Sequence, residues 1–317
     1  MRIVQFLKDW TLPVAIAAGT FCYLLFYWVP ALDELGDLLS PVLDFLFPVF
    51  VFLTLLVTFC KVDFHQMRPH RWHLGVLAAQ MMLVAICVGC HSSWRLLFEA
   101  LLTCIIGPTA AASPVVTGKL GGNISTMTTY VLISSLASAV LIPTVFPMLE
   151  QTVHVDFLTA FLLILYKVAM VLLLPLVLGW TIQHHVKPLA QRVTAMPNLS
   201  FYCWSVSLTI TTGITVKNIV HSEATTGLLC AIAGASLLLC FVQFALGRGI
   251  GRWLGEEVNA GQALFQKNTA LSIWVSYMYL NPVASVGAGF YVLWQNLINS
   301  AELWQRRRVE ELKNYGS

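Results

Sequence analysis

Four consecutive polar residues, Gln266-Lys267-Asn268-Thr269, interrupt an apolar run that reads Ala263-Leu264-Phe265 before them and Ala270-Leu271-Ser272-Ile273-Trp274 after them. A carboxamide, an ammonium, a second carboxamide and a hydroxyl in that order can hold an anion by charge and hydrogen bonds, but they do not make a nucleophile–base pair. A second interruption, Gly107-Pro108-Thr109-Ala110-Ala111-Ala112-Ser113-Pro114, sets two prolines six residues apart. Two missing backbone donors obstruct continuous helix there. A helix restarting after such a break offers free N–H groups and a positive dipole end, both suited to an anion. Other chemistry-bearing residues are sparse. The eight cysteines are scattered through apolar runs as small core hydrophobes are. Cys87 and Cys90 form a lone CxxC with no second pair to build a zinc or redox site. Gly247-Arg248-Gly249 lacks the strand context of a phosphate loop. No metal and no cofactor is expected, and membrane-embedded enzyme chemistry is disfavoured.

The elements that position these residues follow from composition. The chain has 317 residues, 58% hydrophobic and only 10% charged, with net charge +3. Soluble domains carry about a quarter charged residues. The 33 charges here cannot cover a soluble surface of this size, which excludes an ordinary cytosolic enzyme, a nucleic-acid binder and a disordered chain. A membrane helix needs about 20 mostly apolar residues. Ten such runs lie near 10–29, 41–60, 73–90, 96–119, 124–148, 156–183, 199–219, 225–247, 258–280 and 284–303. The expected fold is an all-α polytopic membrane protein of ten transmembrane helices, its main partner the lipid bilayer.

Loop charges set the orientation. With a cytoplasmic N-terminus, the inner segments hold 14 of the 18 basic residues, including Arg2, Lys8, Lys61, Lys119, Arg248, Arg252, Lys313 and the run Arg306-Arg307-Arg308. The outer loops hold Arg95 among acidic residues such as Asp33, Glu34, Glu150, Asp156 and Glu223. This is the positive-inside asymmetry, and it puts both termini in the cytoplasm. Arg306-Arg307-Arg308 reads as a topology anchor. Lys217 can snorkel from a span end. Lys167 and Lys267 sit nearer mid-membrane, where a Lys costs about 2.5–3.5 kcal/mol on the insertion scale and needs a reason.

A division near residue 153 leaves five spans in each half, 1–152 and 153–317. An odd number of spans inverts the second half, and the interrupted span is the fourth of each. Paired interruptions in corresponding positions mark an inverted-repeat transporter with a midplane site.

These stretches are similar to a known family. Gly107 to Thr117, with Gly121-Gly122-Asn123, resembles the fourth-span signature of the bile acid:sodium symporter family, roughly Cys-Pro-Gly-Gly-Thr-x-Ser-Asn-Val-x-Thr followed by Gly-Asn. Leu174-Pro175 with Gly179 resembles its sixth span. Asn268-Thr269 with Leu271 resembles its Gln-Asn-Ser-Gly-Leu, and Trp294-Gln295-Asn296 its Trp-His-Asn. The resemblance implies a panel domain from spans one, two, six and seven and a core domain from the rest. It further implies that spans four and nine cross at their breaks, and that a small organic anion, a carboxylate or bile-acid-like molecule, is carried by alternating access. The bacterial relatives suggest an inner-membrane location.

The departures from the family pattern bear on coupling. The resemblance places sodium ligands where this chain has Pro114, Met127, Val131, Ala263 and Lys267, leaving Ser113 and Gln80. A one-residue slip would put Gln266 in the Gln position without restoring the carboxylate. Sodium-independent transport is therefore expected, with Lys267 standing in for the ion; a symporter with remodelled sites or a related exporter is the alternative. Lys267 can act as a permanent cation, as a carrier of protons, or as the substrate's partner, or it can pair with Asp44 or Glu99. By position the substrate site involves Thr109, Ala111, Ser113, Asn268, Thr269, Gln295 and Asn296, with Gly107, Pro108 and Pro114 as structural breaks. The family's crossover Thr is Ala111 here and its tenth-span His is Gln295. Glu99 reads as a helix-end acid, and Lys167, His184 and His185 stand aside from the site.

Overall fold

The computed structural model describes residues 11–61, 68–90, 94–149, 157–196, 199–222 and 224–315. Arg2, Lys8, Glu150, Asp156 and Glu223 lie outside these, as do the side chains of Asp33, Asp44, Arg307 and Lys313. The described chain is helical, in the order α1 Thr11–Trp28, α2 Asp33–Cys60, α3 Arg71–Cys90, α4 Arg95–Ile106, α5 Ser113–Lys119, α6 Ile124–Leu149 and α7 Phe157–His185. There follow α8 Lys187–Thr194, α9 Leu199–Val220, α10 Thr226–Leu254, α11 Glu257–Phe265, α12 Thr269–Tyr279 and α13 Pro282–Tyr315. Every apolar run is occupied by one helix or, at the two interruptions, by two short ones. Among the described residues five helices are long and apolar enough to cross a membrane: α2, α3, α6, α7 and α10. Four features depart from the sequence expectation. A short helix, α8, lies in the loop after α7; α2 begins at Asp33 rather than near 41; α10 runs to Leu254 rather than 247; and α13 runs for 34 residues through its charged end rather than stopping near 303.

Proline alone does not decide where a helix stops. Pro41 and Pro48 lie inside α2, Pro143 and Pro147 inside α6, and Pro175 inside α7, and each helix continues. At the first interruption the chain leaves helix because Gly107, the residue before Pro108, is extended at φ −63° and ψ 154°. That conformation relieves the clash with the following pyrrolidine ring. Pro114 then sits in the first turn of α5, where a missing N–H costs nothing. The second interruption has no proline. Gln266 is extended at φ −83° and ψ 92°, and Asn268 caps α12 by accepting from Leu271 N at 3.2 Å. A side-chain amide so placed stabilises a helix start and makes leaving the helix at that point cheaper.

Helices α1, α2, α7 and α9 pack on one another, and α3 to α6 pack with α10 to α13; α6 against α7 and α9 against α13 join the two sets. In lipid, helices are held by close packing and polar links more than by apolar transfer. Gly251 shows the packing: a Cβ there would fall 2.5 Å from the Glu256 carbonyl oxygen at the start of α11. A large apolar cluster around Phe47, Phe59, Ile105, Phe146, Leu172 and Leu271 joins both sets. A smaller one gathers Trp72, Val76, Met127, Tyr130, Ala263 and Leu264.

Candidate functional site

The two interruptions meet. Ala110 N donates to Gln266 O at 2.9 Å and Asn268 N donates to Pro108 O at 2.8 Å, an antiparallel bridge that pairs Thr109 with Lys267. This pairing explains why the chain can leave helix here and not at Pro41, Pro143 or Pro175. Each break supplies main-chain partners to the other, so that the Ala110 and Asn268 N–H groups are not stranded in an apolar medium.

Helices α4 and α11 both end at this crossing, and side chains from neighbouring helices accept the load of their last carbonyls. Gln80 Nε2 donates to Ile105 O at 3.0 Å and Gly107 O at 3.2 Å, and Ser138 Oγ donates to Ile106 O at 2.9 Å. Gln243 Nε2 donates to Cys104 O at 3.3 Å and to Tyr291 Oη at 2.9 Å, while Tyr291 Oη donates to Phe265 O at 2.7 Å. Thr109 Oγ1 donates to Ala263 O at 2.8 Å, and the Thr109 N–H donates to Ser134 Oγ at 3.1 Å. Gln295 clasps the second break from both sides: its Oε1 accepts from Lys267 N at 2.9 Å and its Nε2 donates to Lys267 O at 3.2 Å. Ser113 Oγ donates to Ala110 O at 2.6 Å.

The expected site residues are therefore brought together, and most of them hold backbone. Thr109, Ala111, Ser113, Thr269, Gln295 and Asn296 are all buried, and Asn268 is half-buried. The functional groups of Thr109, Ser113, Asn268 and Gln295 are engaged with main chain. Gly107 is needed for the approach itself, since a Cβ there would lie 2.2 Å from Ser272 Oγ. Lys267 differs. It is 1% exposed, and its Nζ has no hydrogen-bond partner among the described residues. The same holds for both amide atoms of Gln266, for Ser272 Oγ, and for Oδ1 of Asn296. Lys267 follows the C-terminus of α11, where the helix dipole favours a cation.

Met127, Val131 and Ala263 are fully buried; Met127 and Ala263 belong to the cluster that includes Trp72 and Tyr130, so this flank of the crossing is hydrocarbon and aromatic surface. Glu99, fully buried, accepts from Arg95 Nε at 2.9 Å, one turn away on its own helix. Lys167 is exposed, with its ammonium 5.7 Å from the centre of the Tyr279 ring. His184 is exposed and stacks on Trp180 at 4.5 Å between ring centres. Cys87 and Cys90 are free thiols.

Sequence reasoning passed over Ser134, Ser138, Gln243, Ser272, Tyr291 and Asn299. The signal for Gln243 was a lone amide in an apolar span; for Asn299, its position three residues after Asn296 on one helix face. Both atoms of the buried Asn299 amide are without a partner among the described residues. No protein-family model matches this chain, and no curated protein matches it.

Proposed function

We propose that this chain is a ten-span secondary transporter of a small organic anion, working by alternating access without sodium. In this reading the two five-helix halves, 1–152 and 153–317, are inverted repeats. Helices α1, α2, α7 and α9 form a panel, and the remaining membrane helices form a core around the crossing. The observation that carries it is the bridge between Thr109 and Lys267: two interrupted helices bonded at their breaks, with a buried ammonium between chain segments that have already satisfied their own main chain. A buried charge is expensive unless it is paired or functional. Lys267 here supplies the positive charge that relatives of the resembled family obtain from an ion, and Gln266 and Ser272 supply hydrogen bonds. Met127, Val131 and Ala263 offer no oxygen to a hard cation, which supports sodium independence. The location consistent with the loop charges is a bacterial inner membrane, both termini inside.

The test is uptake by purified protein in liposomes. A panel of labelled carboxylates, including bile acids and keto acids, should yield at least one substrate whose uptake is unchanged when sodium is replaced by choline. A strong sodium requirement would overturn the proposal. Lys267→Met should reduce uptake at least tenfold. If Lys267→Gln retains uptake but loses its response to a pH gradient, the ammonium carries the coupled proton; if the response to pH is absent from both proteins, Lys267 is a permanent cation.

A further inference from the structure

Side-chain bonds fix how α13 lies along α11. At the crossing, Gln295 holds the main chain of Lys267. Two turns on, Glu302 Oε2 accepts from Gln262 Nε2 at 2.7 Å, and Glu302 Oε1 accepts from Arg248 of α10. Residues 295, 299 and 302 share one face of α13, since two helical turns take about seven residues. Asn299 therefore lies between the two contacts, and it is 1% exposed. On the opposing element, Gln262 and Gln266 are one turn apart. Gln266 N donates to Gln262 O at 3.0 Å, so the helical spacing reaches Gln266. From Gln295 to Glu302 the shared face runs roughly 10 Å at 1.5 Å per residue.

The amides along this strip lack partners. Among the described residues, Nδ2 and Oδ1 of Asn299, Nε2 and Oε1 of Gln266, Oε1 of Gln262 and Oδ1 of Asn296 make no hydrogen bond, and all four side chains are buried. Buried side-chain amides are in large majority hydrogen-bonded, and one left without a partner is destabilising. The missing partners must both donate and accept. A bound anion would meet the two amide NH₂ groups and leave four oxygens stranded; a metal cation would do the reverse. Water does both, and a buried water makes about three hydrogen bonds. The strip reaches solvent at its charged end: Glu302 is partly exposed and Gln305, one turn further on, is exposed.

We propose that α11 and α13 enclose a file of bound water. It runs from the Glu302–Gln262 pair, past Asn299, to Gln266 at the crossing. The ligand is water itself. The file hydrates the second break from the charged end, by a route inside the set α3 to α6 and α10 to α13 rather than between the two helix sets. The six unpartnered atoms, at about three bonds per water, call for at least two waters. The file stands on this geometry and does not depend on the transport reading.

X-ray radiolysis of the full chain in detergent, in oxygen-18 water, is the test, because radicals formed on bound water mark the side chains beside it. Asn299→Cys places a smaller and readily oxidised side chain in the file. Cys104 and Cys240, fully buried in the apolar cluster with Phe265 and Tyr291, are dry references in the same molecule. The new thiol should take up oxygen-18 at least tenfold faster than either. Adding Gln262→Leu at the charged end should cut that rate severalfold. Asn296→Cys reports in the same way if Asn299→Cys does not fold. Asn299→Leu gives an independent reading. Loss of an amide bonded to water strands its partners, so the melting temperature should fall by several degrees; removal of an unbonded amide from a dry interface would leave it unchanged or raise it. Labelling of the new thiol no faster than of Cys104 and Cys240, labelling indifferent to Gln262→Leu, or an Asn299→Leu protein at least as stable as the wild type would each overturn the proposal.

Discussion

Gln295 has a structural role beyond the one expected of it. Its position beside Asn296 suggested contact with substrate, yet both ends of its amide are used to hold the main chain of Lys267. Leucine at this position would strand the buried Lys267 N–H, while the Lys267 carbonyl would keep its bond from Thr269 N at 2.9 Å. At about 1–3 kcal/mol for a buried group left unsatisfied, Gln295→Leu should destabilise the protein by about that amount, read as a lower melting temperature in detergent. Gly107 gives a second prediction. It does not occupy the left-handed region, so the constraint is space: Gly107→Ala should cost about 1–3 kcal/mol as an overpacked site, and Ser272→Ala should recover most of it by removing the hydroxyl that the new methyl would meet. Without that recovery, the close approach of α4 and α12 is not what Gly107 serves. Lys267 was legible from sequence as a charge without an obvious solvent. Gln243, Tyr291 and Ser138 were not, because a single polar residue in an apolar run looks the same whether it faces lipid or receives a carbonyl.

At the scale of elements, the ten apolar runs appear as helices, with most ends within a few residues of the expected ones; α2 starts eight residues early, and α10 and α13 run seven and twelve residues past their expected ends. The two interruptions are where the helices divide. Hydrophobic run length carried that much. It could not show that Pro41, Pro143 and Pro175 stay inside helices while Pro108 does not. The difference lies in an extended partner segment at 266–268, remote in sequence. The extension of α13 was also hidden, since its charged end reads as a loop when apolarity is the criterion. Glu302, within the expected run, is the α13 member of the ion-pair network that ties α10, α11 and α13 together. Glu257, just outside the ninth run, is held below the usual carboxylate range, first by its hydrogen bond from Arg252 and then by Arg248. A lowered folded-state value means a contribution that is present above the ordinary carboxylate value of 4.5 and lost as pH falls through the lower one. The melting temperature of the wild type should therefore fall more steeply below pH 4.5 than that of Glu257→Gln, and parallel curves would show that the network does not couple folding to protons.

For the whole molecule, orientation is the property on which the remaining readings depend. In the proposed topology, basic residues at the ends of α10 and α13 and in the loop before α3 fall on one side, and the acidic loop residues fall on the other. A fluorescent protein fused after Ser317 should be bright in a bacterial host, and alkaline phosphatase fused at the same place should be inactive. The reverse result would invert the proposed topology. Panel, core and repeat relations belong to this scale too. Sequence could suggest them through the count of spans alone, because the halves share little beyond Leu12-Pro13 and Leu174-Pro175.

The hydrogen bonds between Pro108, Ala110, Gln266 and Asn268 also have a consequence in time. During synthesis the first break enters the bilayer about 155 residues ahead of the segment that satisfies it, which at 5–20 residues per second is roughly 8–30 s. For that interval the Ala110 N–H and the Pro108 carbonyl must be sheltered by something other than their final partners. A nascent chain arrested before α11 should consequently stay bound to the insertion machinery, and release to the lipid should coincide with emergence of residues 266–268. The bridge between the two breaks is thus a late joint of assembly, and only then can Gln295 and Tyr291, synthesised later still, clasp the second break.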